Sequence, residues 1–161
     1  MIRRCLLWFL SLNRFVHLFL ILVYMAGIYL LSAIQIDFDR ETPYILEVLT
    51  NLCHVPLFMG LTMLLVPFVR TFFVRDEERH FSPWSLVIVV LLTMVYGITD
   101  EWHQSYTGRS STVLDVVSDL IGGIWGVLVW AFFVDRRPTP TLFAVTCCIL
   151  TVLSLCAAMF Q

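Results

Sequence analysis

The chain has 161 residues, 60% of them hydrophobic and 14% charged, with a formal net charge of −2 at pH 7 and a mean hydropathy of +0.89. A water-soluble domain of this length is roughly half apolar, so the composition excludes an ordinary soluble fold, and the length leaves no room for a second domain. No basic tract and no Gly-rich phosphate loop is present, so nothing points to nucleic acid or to a nucleotide.

Long apolar runs decide the class. A bilayer core of about 30 Å takes about 20 apolar residues in a helix. Five such runs follow one another: Phe15 to Ile34, Cys53 to Phe73, Trp84 to Ser105, Val113 to Val134, and Leu142 to Phe160. The expected fold is all-α, a polytopic membrane helix bundle of about five transmembrane helices. The first run follows Met1-Ile2-Arg3-Arg4, which looks like a signal-peptide start. It is too long for one and no clean cleavage site follows, so it reads as a retained helix.

Thr42-Pro43 opens a helical segment ahead of the second run. Tyr44 to Phe73 as one helix would measure about 45 Å, too long for a simple crossing. The expectation is that Tyr44 to Leu52 lies in the interface, or that the helix bends at Pro56. Ser82-Pro83 starts the third run, with serine as N-cap and proline at the first helical position. Cys5, Cys53, Cys147, Cys148 and Cys156 show no metal or disulfide spacing and read as packing residues.

Every one of the 10 lysine or arginine positions is arginine. Arg3, Arg4, Arg14, Arg70, Arg75, Arg79, Arg136 and Arg137 fall in segments that must share one side of the membrane, and the positive-inside rule makes that side cytoplasmic. The other side holds Arg40 and Arg109 and the acids Asp37, Asp39, Glu41 and Glu47. The N-terminus is then inside and the C-terminus extracytoplasmic, in a multi-pass plasma (inner) membrane protein. Trp84 and Trp130 would anchor the inner boundary, Trp102 and Tyr106 the outer one.

The polarity concentrates at the outer ends of the spans. Asp100, His103 and Gln104 share one face of the third span, with Glu101 turned roughly 100° away. Asp115, Asp119, Gly122 and Gly126 form one stripe on the fourth, its glycines allowing close approach of another helix. Glu47, Asn51 and His54 form a third stripe. Ionisable groups within membrane helices face a partner or a cavity. The expected arrangement is an outer-facing pocket lined by His54, Asp100, His103, Asp115 and Asp119, with Arg109 as counter-charge or anion ligand.

Plainer readings stand beside this one. Thr112-x-x-Asp115 fits a capping box. Asp119 lies one turn deeper, where capping does not account for it, and is either functional or paired in the interior. Asp100 and Glu101 sit at a helix C-terminus, where the dipole disfavours anions, so a nearby cation is expected, with Arg109 the candidate. Either histidine alone reads as a packed core or interface residue. Candidates for acid–base chemistry are His54, Asp100, His103 and Asp119. Candidates for holding a ligand are Glu101, Gln104, Arg109 and Asp115. No cofactor is expected, since no zinc-protease spacing occurs; a divalent ion at His54, His103 and Asp119 is the subordinate alternative.

Asp100-Glu101-Trp102-His103-Gln104, then Gly108-Arg109, then Asp115, Asp119, Gly122 and Gly126 resemble the D-E-x-H-Q, G-R and D-x-x-x-[ND]-x-x-G-x-x-x-G signature of VanZ-like membrane proteins. The segment Asn51 to Leu65 resembles that family's earlier histidine-bearing helix, with Thr50-Asn51 where an aspartate–lysine pair is usual. The resemblance implies a single VanZ-like transmembrane domain over residues 1–161, with a core at 15–134 and the last helix, 141–160, as an addition. It further implies a role at the cell envelope and low-level resistance to teicoplanin-type lipoglycopeptide antibiotics. The expected partner is a membrane lipid or lipid-linked envelope precursor, bound or acted upon; oligomeric state is left open. A membrane enzyme using His and Asp on such a lipid, and a purely structural membrane protein, are the alternatives. A coupled transporter fits poorly, with no inverted repeat and no polar path to the cytoplasm.

Overall fold

The computed structural model describes residues 1–34, 43–73, 82–107, 112–135 and 138–160, apart from the side chains of Glu47 and Pro83. Within them the chain forms seven helices: α1 Ile2–Leu10, α2 Arg14–Ser32, α3 Tyr44–Leu52, α4 His54–Phe73, α5 Pro83–Tyr106, α6 Val113–Phe133 and α7 Pro140–Met159. Five segments are long and apolar enough to cross a membrane. The fold is an all-α membrane helix bundle. Outward faces carry bare apolar side chains, such as Phe15, Phe19, Leu22 and Leu30 on α2, as lipid contact requires.

Helix α6 is the hub, packed on α4, α5 and α7, while α3 pairs with α7. The tightest seam is α4 against α6. A Cβ on Gly126 would stand 2.6 Å from Thr62 Cβ and 3.0 Å from the Met59 carbonyl; one on Gly122 would run into the Val55 carbonyl oxygen. Only glycine lets the two backbones come this close, as the small-residue stripe led one to expect. The buried core runs along the same seam, through Phe58, Leu61, Leu65, Val66, Val69, Val89 and Trp130.

Two prolines shape α4. Pro56 has no N–H to give to the Leu52 carbonyl, and its ring crowds that group; α3 accordingly stops at Leu52 and α4 starts at His54. The break lies upstream of Pro56, at Cys53. Pro67 lies inside α4 and leaves the Met63 carbonyl without its helical donor. The Trp130 indole N–H of α6 donates to that carbonyl at 3.3 Å. Trp130 is fully buried, so it is a core residue and not the interfacial anchor its position suggested; Trp84, Trp102 and Tyr106 are exposed.

Other spans are joined by hydroxyls. Tyr24 O–H donates to the Leu57 carbonyl at 3.1 Å, Tyr96 O–H to Met25 at 2.6 Å, and the Thr62 and Thr93 hydroxyls lie 2.9 Å apart. Ser82 is the N-cap residue of α5, with proline in the first turn, but its side chain caps nothing. Helix α1 was not anticipated. His17, fully buried, ties it to α2 through its Nε2, 3.0 Å from the Phe9 carbonyl. The five cysteines are free thiols.

Candidate functional site

The break at Cys53 puts His54 at the first position of α4, buried, with Phe58 stacked one turn below at a 6.4 Å ring separation. From α6, Asp119 faces it directly. His54 Nδ1 and Asp119 Oδ1 are 2.9 Å apart. A carboxylate only accepts, so the ring Nδ1–H donates, and Asp119 thereby fixes the ring's orientation. His54 Nε2 lies 3.9 Å from Asp115 Oδ1, and Glu101 Oε1 of α5 lies 4.0 Å from Nδ1. Three carboxylates from two helices thus surround one imidazole.

Asp115 is also a cap. The Thr112 hydroxyl accepts from the Asp115 N–H and the Asp115 carboxylate accepts from the Thr112 N–H, completing the capping box. Capping uses Oδ2, which leaves Oδ1 turned to His54. The two readings of this residue are therefore compatible. Gln104 Nε2 donates to Asp100 Oδ2 at 2.9 Å and to Glu101 Oε1 at 3.1 Å, holding both acids of α5 in place. Asp119 makes room for itself against a residue the sequence reading passed over. A Cβ on Gly97 would stand 2.6 Å from Asp119 Oδ2. A lone glycine in the middle of an apolar span was the available signal.

The remaining candidates divide. Asp100 and Gln104 join His54 in lining a cavity of about 590 Å³ between α2, α4 and α5, whose other walls include Tyr24, Ile28, Leu31, Leu57 and Phe58. Glu101, expected to turn away, belongs to the cluster, and the bond from Gln104 explains it. His103 stands apart. Its ring stacks on Tyr29 of α2 at 3.8 Å and 25°, with Nδ1 3.4 Å from the Ser32 hydroxyl. The two histidines do not share one pocket wall: α2 captures His103. The donor atoms of His54, Glu101 and Asp119 all lie within 4.8 Å of one another. Arg109 lies outside the described residues, as do Gly108, Ser110 and Ser111, and the charges at Asp37, Asp39, Arg40, Glu41, Arg75, Arg79, Arg136 and Arg137.

The sequence model of the VanZ/LLP1 family matches residues 6–134. The chain belongs to that family. The match takes in α2 to α6, and hence every helix that contributes to the His54 cluster, and ends before α7. No curated protein and no solved structure matched the chain.

Proposed function

We propose that this VanZ/LLP1-family protein receives a membrane-embedded amphipathic component of the cell envelope, a phospholipid or a lipid-linked precursor, between α2, α4 and α5. The cavity carries this reading. Its walls are mainly apolar, from Tyr24, Ile28, Leu31, Leu57 and Phe58, and its polar groups gather around His54, Asp100, Gln104 and Ser32. Such a space suits an acyl chain with its polar head at the end lined by His54, Asp100, Gln104 and Ser32. A second reading has one observation in its favour. The Asp119–His54 hydrogen bond of 2.9 Å orients the imidazole as an acid–base catalyst requires, so the bound head would be processed as well as held. Resistance to teicoplanin-type lipoglycopeptides would follow from the altered availability of that component.

Native mass spectrometry on protein extracted with its lipids tests the binding step. The wild type should retain a defined lipid, and Leu31→Trp, which narrows the cavity from its half-exposed wall, should lose it. Equal retention by both would discard the cavity as the binding site. Turnover of the retained lipid by wild type but not by His54→Gln separates catalysis from binding.

In this reading the cluster faces the outside of the plasma membrane, with the N-terminus cytoplasmic and the C-terminus extracytoplasmic. The arginine asymmetry supports that orientation. In a background with its 5 native cysteines replaced, single cysteines at Thr42 and Thr107 should react with an impermeant thiol reagent added outside. Those at Glu77 and Thr139 should not. The reverse pattern would invert the topology and place the cluster at the cytoplasmic face.

A further inference from the structure

We infer that His54, Glu101 and Asp119 form a binding site for a divalent transition-metal ion of the zinc or manganese class. One nitrogen and two carboxylate oxygens, from α4, α5 and α6, lie within 4.8 Å of one another. With ligand bonds of about 2.1 Å, donors on one ion stand about 3 to 4 Å apart. The His54 Nδ1 separations of 2.9 Å to Asp119 Oδ1 and 4.0 Å to Glu101 Oε1 span that interval. The ion would take the position of the proton now shared between His54 and Asp119.

A second observation points to a ligand. Asp119 is fully buried and Asp100 is 4% exposed, yet Asp119 Oδ2 and Asp100 Oδ1 have no hydrogen-bond partner among the described residues. Buried carboxylate oxygens without partners are costly. Asp100 also lines the cavity beside His54, and its Oδ1 is buried. The outer shell is already built, since Gln104 donates to the same Glu101 oxygen that would ligate and fixes its rotamer. Donor chemistry selects the ion. A nitrogen with carboxylates suits zinc, manganese or ferrous iron, calcium prefers an all-oxygen shell, and no thiolate is present in the cluster to favour cuprous ion. The site does not depend on the lipid reading, because it needs only these side chains.

The test uses the full chain in lipid nanodiscs, stripped with chelator and freed of any purification tag. Loss of the free Mn²⁺ paramagnetic resonance signal should titrate to one ion per chain, and Zn²⁺ should displace it. Glu101→Gln and His54→Gln should each weaken binding by about 100-fold or more, while His103→Gln should bind as wild type. In the wild type, Mn²⁺ should broaden the His54 ring resonances before those of His17 or His103, which needs no variant to fold. Absence of saturable binding of either ion overturns the site. So does binding that survives both ligand substitutions, or broadening centred on another histidine. Metal binding without lipid retention, or the reverse, leaves one proposal standing and removes the other.

Discussion

Gly122→Ala is expected to destabilise the bundle by about 2 kcal/mol or more, the scale of an overpacked core. The added methyl would meet the Val55 carbonyl oxygen, the Met59 nitrogen at 3.0 Å and Phe58 Cβ at 3.1 Å. Two of these are backbone atoms of α4, so no rotamer change relieves the contact and the helices must part. Gly27→Ala is the matched control. Its Cβ would meet nothing within 4 Å, and alanine's better helix propensity, worth up to about 1 kcal/mol, should leave that variant neutral or slightly more stable. Unfolding midpoints in mixed micelles compare the two. Equal behaviour would mean that the α4–α6 seam is looser than its geometry. The same substitution reaches the site, because Gly122 lies three residues from Asp119 on α6, and Val55 is the neighbour of His54. Forcing α4 from α6 lengthens the 2.9 Å bond between them.

The spans were legible because lipid imposes one dominant requirement, about 20 apolar residues per crossing, and helices α2, α4, α5, α6 and α7 fall within a few residues of the runs that announced them. The Thr112–Asp115 cap and the glycine stripe were legible for a similar reason: both are local patterns along one helix. What the sequence left open was partner choice across helices. Residues Asp100 to Gln104 are polar at four of five positions, so helical periodicity alone cannot say which face meets which neighbour. Tyr29 and Ser32 on α2 draw His103 one way, and Gln104 draws Glu101 the other. The contact between Ser32 and His103 joins residues 71 positions apart, which no local spacing encodes, whereas the bond from Gln104 to Glu101 spans three residues of α5 itself. Trp130 is the same lesson in the core. Its indole looked like an interface anchor until Pro67, on another helix, left a carbonyl for it to satisfy.

The His54–Asp119 pair should give a large coupling energy among the described residues. His54→Leu removes the imidazole and leaves Asp115, Glu101 and Asp119 facing one another, all at most 5% exposed; a loss of about 3–5 kcal/mol is expected, as for other broken buried pairs. Asp119→Leu should cost less, because His54 keeps Asp115 at 3.9 Å and Glu101 at 4.0 Å and one acid is gone from a crowded site. The double substitution, measured in metal-free buffer, should be more stable than the His54→Leu single variant, since well-packed apolar side chains often replace a buried pair at little cost. The non-additivity measures the coupling. A sum equal to the two single effects would show that the 2.9 Å contact contributes no pair energy. Under the proposed function, survival under lipoglycopeptide or another envelope stress then separates structure from function. If the pair serves only to knit α4 to α6, the double variant should recover the phenotype along with stability. If the imidazole and carboxylate act on a bound head group or a metal ion, the double variant should accumulate in membranes at levels near wild type and still fail to protect the cell.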